Sequence, residues 1–403
     1  MSRKKKDDIR DETRAVHAGR HPQDFHGVVN PPVYHASTVI SPNLADWNQK
    51  DRDYAEDKPG VYYGRHGTPT TASLEEAVAE LEGGYRAMVY PSGLAACACA
   101  LIAYVKAGDH VLISDSAYGP MRRVGWRLLA RFGVEIQFYD PLIGAGVKAL
   151  MRPNTTVVVV EAPGSLTFEM QDIPAIAEVA HRQGATVIMD NTWATPLYFK
   201  SFAHGVDVSI HAATKYIVGH SDAMIGVVST TKEAWPKLRE THTDLGQTVG
   251  PDDAYLAQRG LRTMATRLRQ HGQTALALTE WLSRRPEVER VLYPALPTDP
   301  GHTIWKRDFL GASGLFGVIL KPVDRKAFAA FIDGLDLYGL GASWGGYESL
   351  IMPFNPAPIR KATQWPYAGQ AFRIHAGLEH VNDLIEDLEA GFVRLNQTNA
   401  ESK

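Results

Sequence analysis

The sequence predicts an α/β protein: a mostly parallel sheet sandwiched by helices, with a smaller α+β C-terminal domain. Three observations carry that expectation. Between residues 73 and 190, short apolar runs alternate with stretches of helical periodicity. Two of those runs, Thr156-Val157-Val158-Val159-Val160 and Ala185-Thr186-Val187-Ile188-Met189, are apolar almost throughout, as strands covered on both faces are. The chain has 403 residues, 44% of them hydrophobic, which suffices for two or three domains with large cores.

The elements follow in order. Pro22, Pro31-Pro32, Pro42 and Pro59 break any long element in the first 60 residues, so residues 1–60 read as an irregular arm. Tyr34, Trp47 and Tyr54 give that arm enough apolar surface to pack on a neighbouring subunit. Ser73-Leu74-Glu75-Glu76 fits a capping box, and Gly83-Gly84 ends the helix it opens. A strand follows at 86–90, a helix at 94–106 stopped by Gly108, a strand at 110–114, a helix at 120–132 and a strand at 134–139. The strand at 155–161, the helix at 173–183 closed by Gly184, and the strand at 185–190 complete the alternation. After residue 260 the order changes. A long helix (261–285) precedes strands at 288–293 and 315–321, a helix at 325–335, strands near Leu350 and Phe372, and a last helix at 381–395. The expected division is an arm (1–60), an α/β ligand-binding domain (61–258) and an α+β domain (259–403).

Composition narrows the function. Lys plus Arg total 42 against 45 Asp plus Glu, a net charge of −3, so no nucleic-acid or membrane-surface partner is expected. No apolar stretch approaches the ~20 residues of a membrane-spanning helix. The basic run Arg3-Lys4-Lys5-Lys6 leads into Asp7-Asp8 rather than an apolar core, so it is not read as a signal peptide. The expectation is a soluble, cytoplasmic protein. Cys97 and Cys99, in Leu94-Ala95-Ala96-Cys97-Ala98-Cys99-Ala100-Leu101, read as small core residues of a reducing compartment. The 15 His are scattered without ligand spacing, and no metal site is expected.

In open α/β sheets ligands bind at the carboxyl ends of the strands. Ser92-Gly93-Leu94, after the 86–90 strand, opens a helix whose free N–H groups attract an anion, although a plain turn reads equally well. Asp190 ends a very apolar strand, as a partner for a cation or as a cap on the next turn. Lys215, in Asp207-Val208-Ser209-Ile210-His211-Ala212-Ala213-Thr214-Lys215-Tyr216-Ile217-Val218-Gly219-His220-Ser221, closes a strand-like segment. It is either a lysine with a depressed pKa, able to form a Schiff base or act as a general base, or a snorkelling surface residue. Taken together the three describe one ligand: an aldehyde for the lysine, a ring nitrogen for the carboxylate and a phosphate for the helix terminus. That ligand is pyridoxal phosphate. No Gly is followed by Lys, so there is no Walker-type loop, and Gly339 to Gly345 has the wrong spacing for a dinucleotide fingerprint. No G-x-S-x-G elbow is read along the chain, so a serine-hydrolase function is not expected.

The stretch from Asp207 to Ser221 resembles the lysine signature of the Cys/Met-metabolism pyridoxal-phosphate enzymes, and the resemblance runs from about Thr13 to Phe392. It looks closest to the subgroup that cleaves the Cβ–S bond of L-cystathionine. The supporting segments are Tyr62-Tyr63-Gly64-Arg65, Gly219-His220-Ser221-Asp222, Trp305-Lys306-Arg307-Asp308-Phe309, Ser343-Trp344-Gly345-Gly346-Tyr347-Glu348-Ser349 and Arg373-Ile374-His375. The resemblance implies an aspartate-aminotransferase-like fold, its mostly parallel sheet of the seven-stranded type, and roles for single residues. Lys215 would hold the cofactor aldehyde and shuttle protons, Asp190 would keep the ring nitrogen protonated, and Tyr118 would stack on the ring and assist proton transfer. Gly93 and Leu94 would offer backbone N–H groups to the phosphate, and Thr214 its hydroxyl. Tyr63 and Arg65 would reach the phosphate of a neighbouring subunit. Arg373 would clamp the substrate α-carboxylate, with Tyr62, Ser343 and Trp344 beside it.

The implied assembly is a homo-oligomer, a dimer with shared active sites and from it a tetramer, acting on a thioether amino acid. Two departures stand out. Ala212 replaces a serine common three residues before the lysine, and Glu161-Ala162-Pro163-Gly164-Ser165-Leu166 lacks the asparagine many members place near the ring oxygen. A γ-lyase, γ-synthase or sulfhydrylase of the same family is the alternative activity, and a non-catalytic binder the alternative of another class.

Overall fold

In the computed structural model, which describes residues 9–401, the two apolar runs lie side by side at the centre of the larger sheet. Its strands are β1 (Arg86–Tyr90), β2 (His110–Ser114), β3 (Glu135–Tyr139), β4 (Thr155–Glu161), β5 (Thr186–Asp190), β6 (Val208–His211) and β7 (Gly226–Thr230), in the order β1-β7-β6-β5-β4-β2-β3. All run parallel except β7, which is antiparallel to both neighbours. Successive side chains of a strand point to opposite faces. Val157, Val159 and Ile188 accordingly enter one core, while Val158, Val160, Val187 and Met189 enter another on the opposite face. The near-continuous apolar runs are thus explained: each strand has no wet side.

The second sheet holds β8 (Val288–Leu292), β9 (Leu315–Leu320), β10 (Gly339–Leu340), β11 (Leu350–Phe354) and β12 (Ala371–His375), in the order β10-β11-β12-β9-β8. Only β10 and β11 pair in parallel. The helices Arg325–Asp333 and Val381–Glu401 cover it, with the Phe331 and Phe392 rings 4.9 Å apart. A helix of 32 residues, Pro251–Leu282, joins the two layers. As far as Leu268 it gives Leu261, Met264 and Leu268 to the core around Leu74 and Val89, and beyond that it gives Ala275, Leu278 and Leu282 to the core of the small sheet. It runs uninterrupted through the 258/259 position at which the sequence pattern divides the chain.

Several elements differ from expectation. The helix before β1 starts at Pro69, not Ser73, because the Thr68 N–H donates to Thr71 Oγ1 at 3.0 Å and proline suits the first turn. The helix after β1 spans Gly93–Ile102 and stops short of Lys106. The 120–132 stretch is one helical turn (Gly119–Arg123) followed by a π turn (Val124–Leu128) and a 3₁₀ turn (Leu129–Phe132). Gly125 lets that π turn lie on β2, since a Cβ there would stand 2.8 Å from Ile113 Cδ1. Lys215 does not close a strand: β6 ends at His211, and Lys215 lies in the turn beyond. The arm is not irregular throughout. It contains the helices Asp11–His17 and Leu44–Ala55, the latter capped by Asn43 Oδ1 accepting from the Asp46 N–H at 2.9 Å. Ile40, Leu44 and Trp47 in this arm are 84%, 73% and 61% exposed, so the chain itself does not cover them.

Cys97 and Cys99 are free and buried. Among the described residues no helix is long and apolar enough to cross a membrane. The basic run at residues 3–6 lies outside the described residues.

Candidate active site

The carboxyl ends of β4, β5 and β6 open into a cavity of about 400 Å³. The N-terminus of the Gly93–Ile102 helix forms one wall. Ala342 and Trp344 close the opposite side with Arg373 from β12. Gly93, Leu94, Tyr118, Asp190, Thr214, Lys215, Trp344 and Arg373 all line it.

Each side chain is held by its element. Ser92 caps the helix, its Oγ accepting from the Ala95 N–H at 3.1 Å. The Gly93 and Leu94 N–H groups have no partner within the helix and remain available to an anion. Gly93 is required sterically, because a Cβ there would stand 2.5 Å from Ala212 Cβ. The alanine at 212 is thus the surface on which the helix terminus packs, and its own N–H donates to Thr192 Oγ1 at 2.9 Å. Thr214 lines the cavity, but its hydroxyl donates to the Ile225 carbonyl at 3.1 Å and accepts from the Ile225 N–H at 2.9 Å.

Asp190 is buried at the end of β5. Its Oδ1 accepts from the Thr192 N–H at 3.0 Å and from the Thr192 hydroxyl. Among the described residues none bonds Oδ2. Burial raises its pKa, partly offset by the Thr192 bonds and the His211 and Lys215 charges. Glu161 ends β4 in register with Asp190, and burial, with the Asp190 charge second, pushes it well above the usual carboxylate range. Its Oε2 accepts from the Tyr118 N–H at 2.6 Å, fixing the start of the segment that carries the Tyr118 ring. Tyr118 itself is 40% exposed.

Lys215 Nζ donates to Ser343 Oγ at 2.7 Å and stands 5.5 Å from the Trp344 ring centre. Burial, and then the Arg373 charge, lower its pKa to about 8, with Asp190 opposing. Gly345, at φ +90°, lets its loop run against the Lys215 backbone, where a Cβ would meet the lysine carbonyl carbon at 2.8 Å. Arg373 Nη2 donates to the Ala342 and Ser343 carbonyls at 2.7 and 3.2 Å, and burial lowers its pKa to about 10. Among the described residues no hydrogen bond engages its Nη1.

Ser343 does not line the cavity; it reaches the site through its Oγ, which accepts from Lys215, and its carbonyl, which accepts from Arg373. Gly341-Ala342-Ser343-Trp344-Gly345 does spell G-x-S-x-G, contrary to the expectation that no such run exists. It follows the two-residue β10 and leads into no helix, so the strand–turn–helix an elbow requires is missing. Tyr62, Tyr63 and Arg65 lie away from the cavity of their own chain. The Tyr62 hydroxyl donates to the Lys58 carbonyl at 2.9 Å, and Arg65 Nη1 donates to the Thr243 carbonyl at 3.3 Å. Glu161, Thr192 and Cys97 were assigned no role from the sequence, yet all three line the cavity. A signal for Glu161 existed, since it ends an apolar strand just as Asp190 does.

The cavity fits pyridoxal phosphate on features of its own. A buried carboxylate has a free oxygen, a lysine is largely desolvated, and two orphan helix N–H groups lie beside a glycine that admits no side chain.

The family model of the Cys/Met metabolism PLP-dependent enzymes matches residues 12–393. The chain is 50% identical over 386 residues to a putative cystathionine beta-lyase of Rhizobium johnstonii, covering 94% of this chain and 95% of that one. It is 43% identical over 390 residues to cystathionine beta-lyase MetC of Escherichia coli, covering 95% and 98%. The crystal structure of metB from Corynebacterium glutamicum superposes with a TM-score of 0.87 at 31% identity, covering 98% of this chain and 100% of that one.

Proposed function

The chain belongs to the Cys/Met metabolism PLP-dependent enzymes, and from that membership we propose that it is a carbon–sulfur lyase converting L-cystathionine to homocysteine, pyruvate and ammonia. The observation that carries the reading is the convergence of Lys215, Asp190 and Arg373 on one cavity. Pyridoxal phosphate, held by Asp190, Lys215 and the Gly93–Leu94 turn, supplies when bound an electron-withdrawing ring that makes loss of a Cα proton feasible.

The chain's own groups do the rest. Arg373, with one nitrogen committed to the 342–343 carbonyls, keeps Nη1 for the substrate α-carboxylate. That grip sets the Cα–H toward Lys215. The lysine amine takes the Cα proton and returns one to the departing sulfur. Tyr118, which lines the same cavity, would lie against the ring and assist that transfer through its hydroxyl. Trp193, Phe168 and Trp344 exclude water around the reacting atoms.

Incubation with L-cystathionine tests the reading: pyruvate with homocysteine is expected. 2-Oxobutyrate with cysteine would make the enzyme a γ-lyase instead, and no product would leave a binding protein.

The lysine also dictates a pH dependence. A folded pKa of about 8 leaves roughly one lysine in ten neutral at pH 7, against about one in three thousand at the ordinary 10.5. Cofactor uptake by the cofactor-free protein should therefore quicken about tenfold per pH unit below 8 and level off above it. A rate still climbing tenfold per unit between pH 8.5 and 10 would contradict the lowered value.

The protein works as a homo-oligomer whose sites are shared. Support comes from Tyr63 and Arg65, exposed and outside their own cavity, and from the uncovered Ile40, Leu44 and Trp47. Arg65→Ala should weaken cofactor retention about tenfold or more through the partner subunit. Mixed dimers with one Arg65→Ala chain and one Lys215→Ala chain check this. If the arginine serves the partner's site, one of the two sites keeps both Lys215 and Arg65; if it serves its own chain's site, neither does. Equal retention in all combinations would end the shared-site idea. We place the enzyme in the cytoplasm, in keeping with two free thiols in its core.

A further inference from the structure

Strands β11 and β12 are antiparallel neighbours whose last pair is Phe354 and Ala371. A two-residue turn can join such strands, yet residues 355–370 intervene. This connection leaves the small sheet and fastens to the large one at two neighbouring points, the Arg360–Glu169 ion pair and, more extensively, the carboxylate of Asp115. Asp115, directly after β2, has a side chain with no exposure. Its Oδ1 accepts from the Lys361 N–H at 2.9 Å, and its Oδ2 accepts from the Ala362 and Thr363 N–H groups and the Thr363 hydroxyl, each at 2.9 Å. Three successive backbone N–H groups on one anion make a nest, here filled by the protein itself. Arg122 pairs with the same carboxylate at 2.9 Å, and its Nη2 donates back to the Ile359 carbonyl at 2.6 Å. Burying a carboxylate this completely is tolerable only with its lone pairs filled and its charge matched.

We propose that Asp115 is a positioning residue: by latching the 355–370 connection it fixes the spacing between Tyr118 and Arg373. Tyr118 lies three residues beyond the latch on one side. Arg373 lies three residues beyond the connection's end on the other. The two therefore face one cavity from layers that, at this edge, are tied by the Asp115 nest together with the Arg360–Glu169 pair. The consequence for ligand binding rests on the proposed roles of Tyr118 and Arg373. The latch itself does not.

The test uses the cofactor-loaded full chain. Asp115→Asn removes the charge but leaves Arg122 buried without its partner. The double variant Asp115→Asn with Arg122→Gln removes that cation too, keeping a folded comparison available. Three quantities are read: backbone hydrogen exchange over residues 357–364, the absorbance of the bound cofactor, and the Kd for glycine, an α-carboxylate probe titrated through that absorbance. The expected result for the double variant is exchange at least a hundredfold faster over 357–364, unchanged cofactor absorbance, and glycine binding weakened tenfold or more. Unchanged exchange would overturn the latch. Faster exchange with unchanged glycine affinity would overturn the positioning role. Because glycine needs no bond cleavage, wild-type protein that binds glycine but leaves cystathionine intact would count against the proposed function alone.

Discussion

Lys215→Ala is expected to lower turnover at least ~10⁴-fold and to abolish the visible absorbance of lysine-bound cofactor, because it removes both the amine that holds the aldehyde and the base that reaches Cα. The fold should survive. The side chain packs at the rim of an open cavity rather than in a core, and among the described residues its hydrogen bond runs to Ser343 Oγ alone. Absorbance of the reconstituted variant, read beside a pyruvate assay, decides the matter. A coloured variant with near-normal activity would place the chemistry elsewhere.

Asp190→Asn carries the second large effect, about 10³-fold in kcat, or about 4 kcal/mol at 1.36 kcal/mol per decade. The substitution is isosteric, and Oδ1 can still accept from Thr192. What changes is the atom at Oδ2, which becomes a neutral N–H₂ that donates where the carboxylate accepts. A ring N–H then loses its charged partner, and the ring loses much of its pull on Cα electrons. KM should move little, since Arg373 and its carbonyl anchors are untouched. An Asn variant within tenfold of wild type would show that the carboxylate does not govern the ring.

The centre of the larger sheet was legible because strands with no wet side must be apolar at every position, as the two runs of β4 and β5 are. Lys215, Asp190 and Gly93 were legible because strand ends at a parallel sheet are where ligands bind. β7 was not: it is five residues long, contains Ser229 and Thr230, and takes its direction from pairing between β1 and β6. Glu161 and Thr192 escaped for a related reason. The role of Thr192 comes from the turn after β5, which no local spacing encodes, and for Glu161, which ends an apolar strand as Asp190 does, only the pairing in register with Asp190 was hidden. The capping box was misplaced because Thr68 and Thr71 supply it from either side of Pro69, five residues ahead of the Ser73–Glu76 run that resembled one. The N-terminal helices were hidden by prolines that turned out to lie between helices rather than within them.

The rod of 32 residues from Pro251 to Leu282 has one more implication, for the order of events during synthesis. The interior around Leu74, Val89 and Ile217 is finished only by Leu261, Met264 and Leu268, all supplied by that rod. On the ribosome the first two hundred and fifty or so residues must therefore wait with their apolar interior open until the rod's opening turns have emerged. A nascent chain halted before residue 260 should recruit chaperones and be cut readily by proteases, whereas one halted well past residue 282 should resist them.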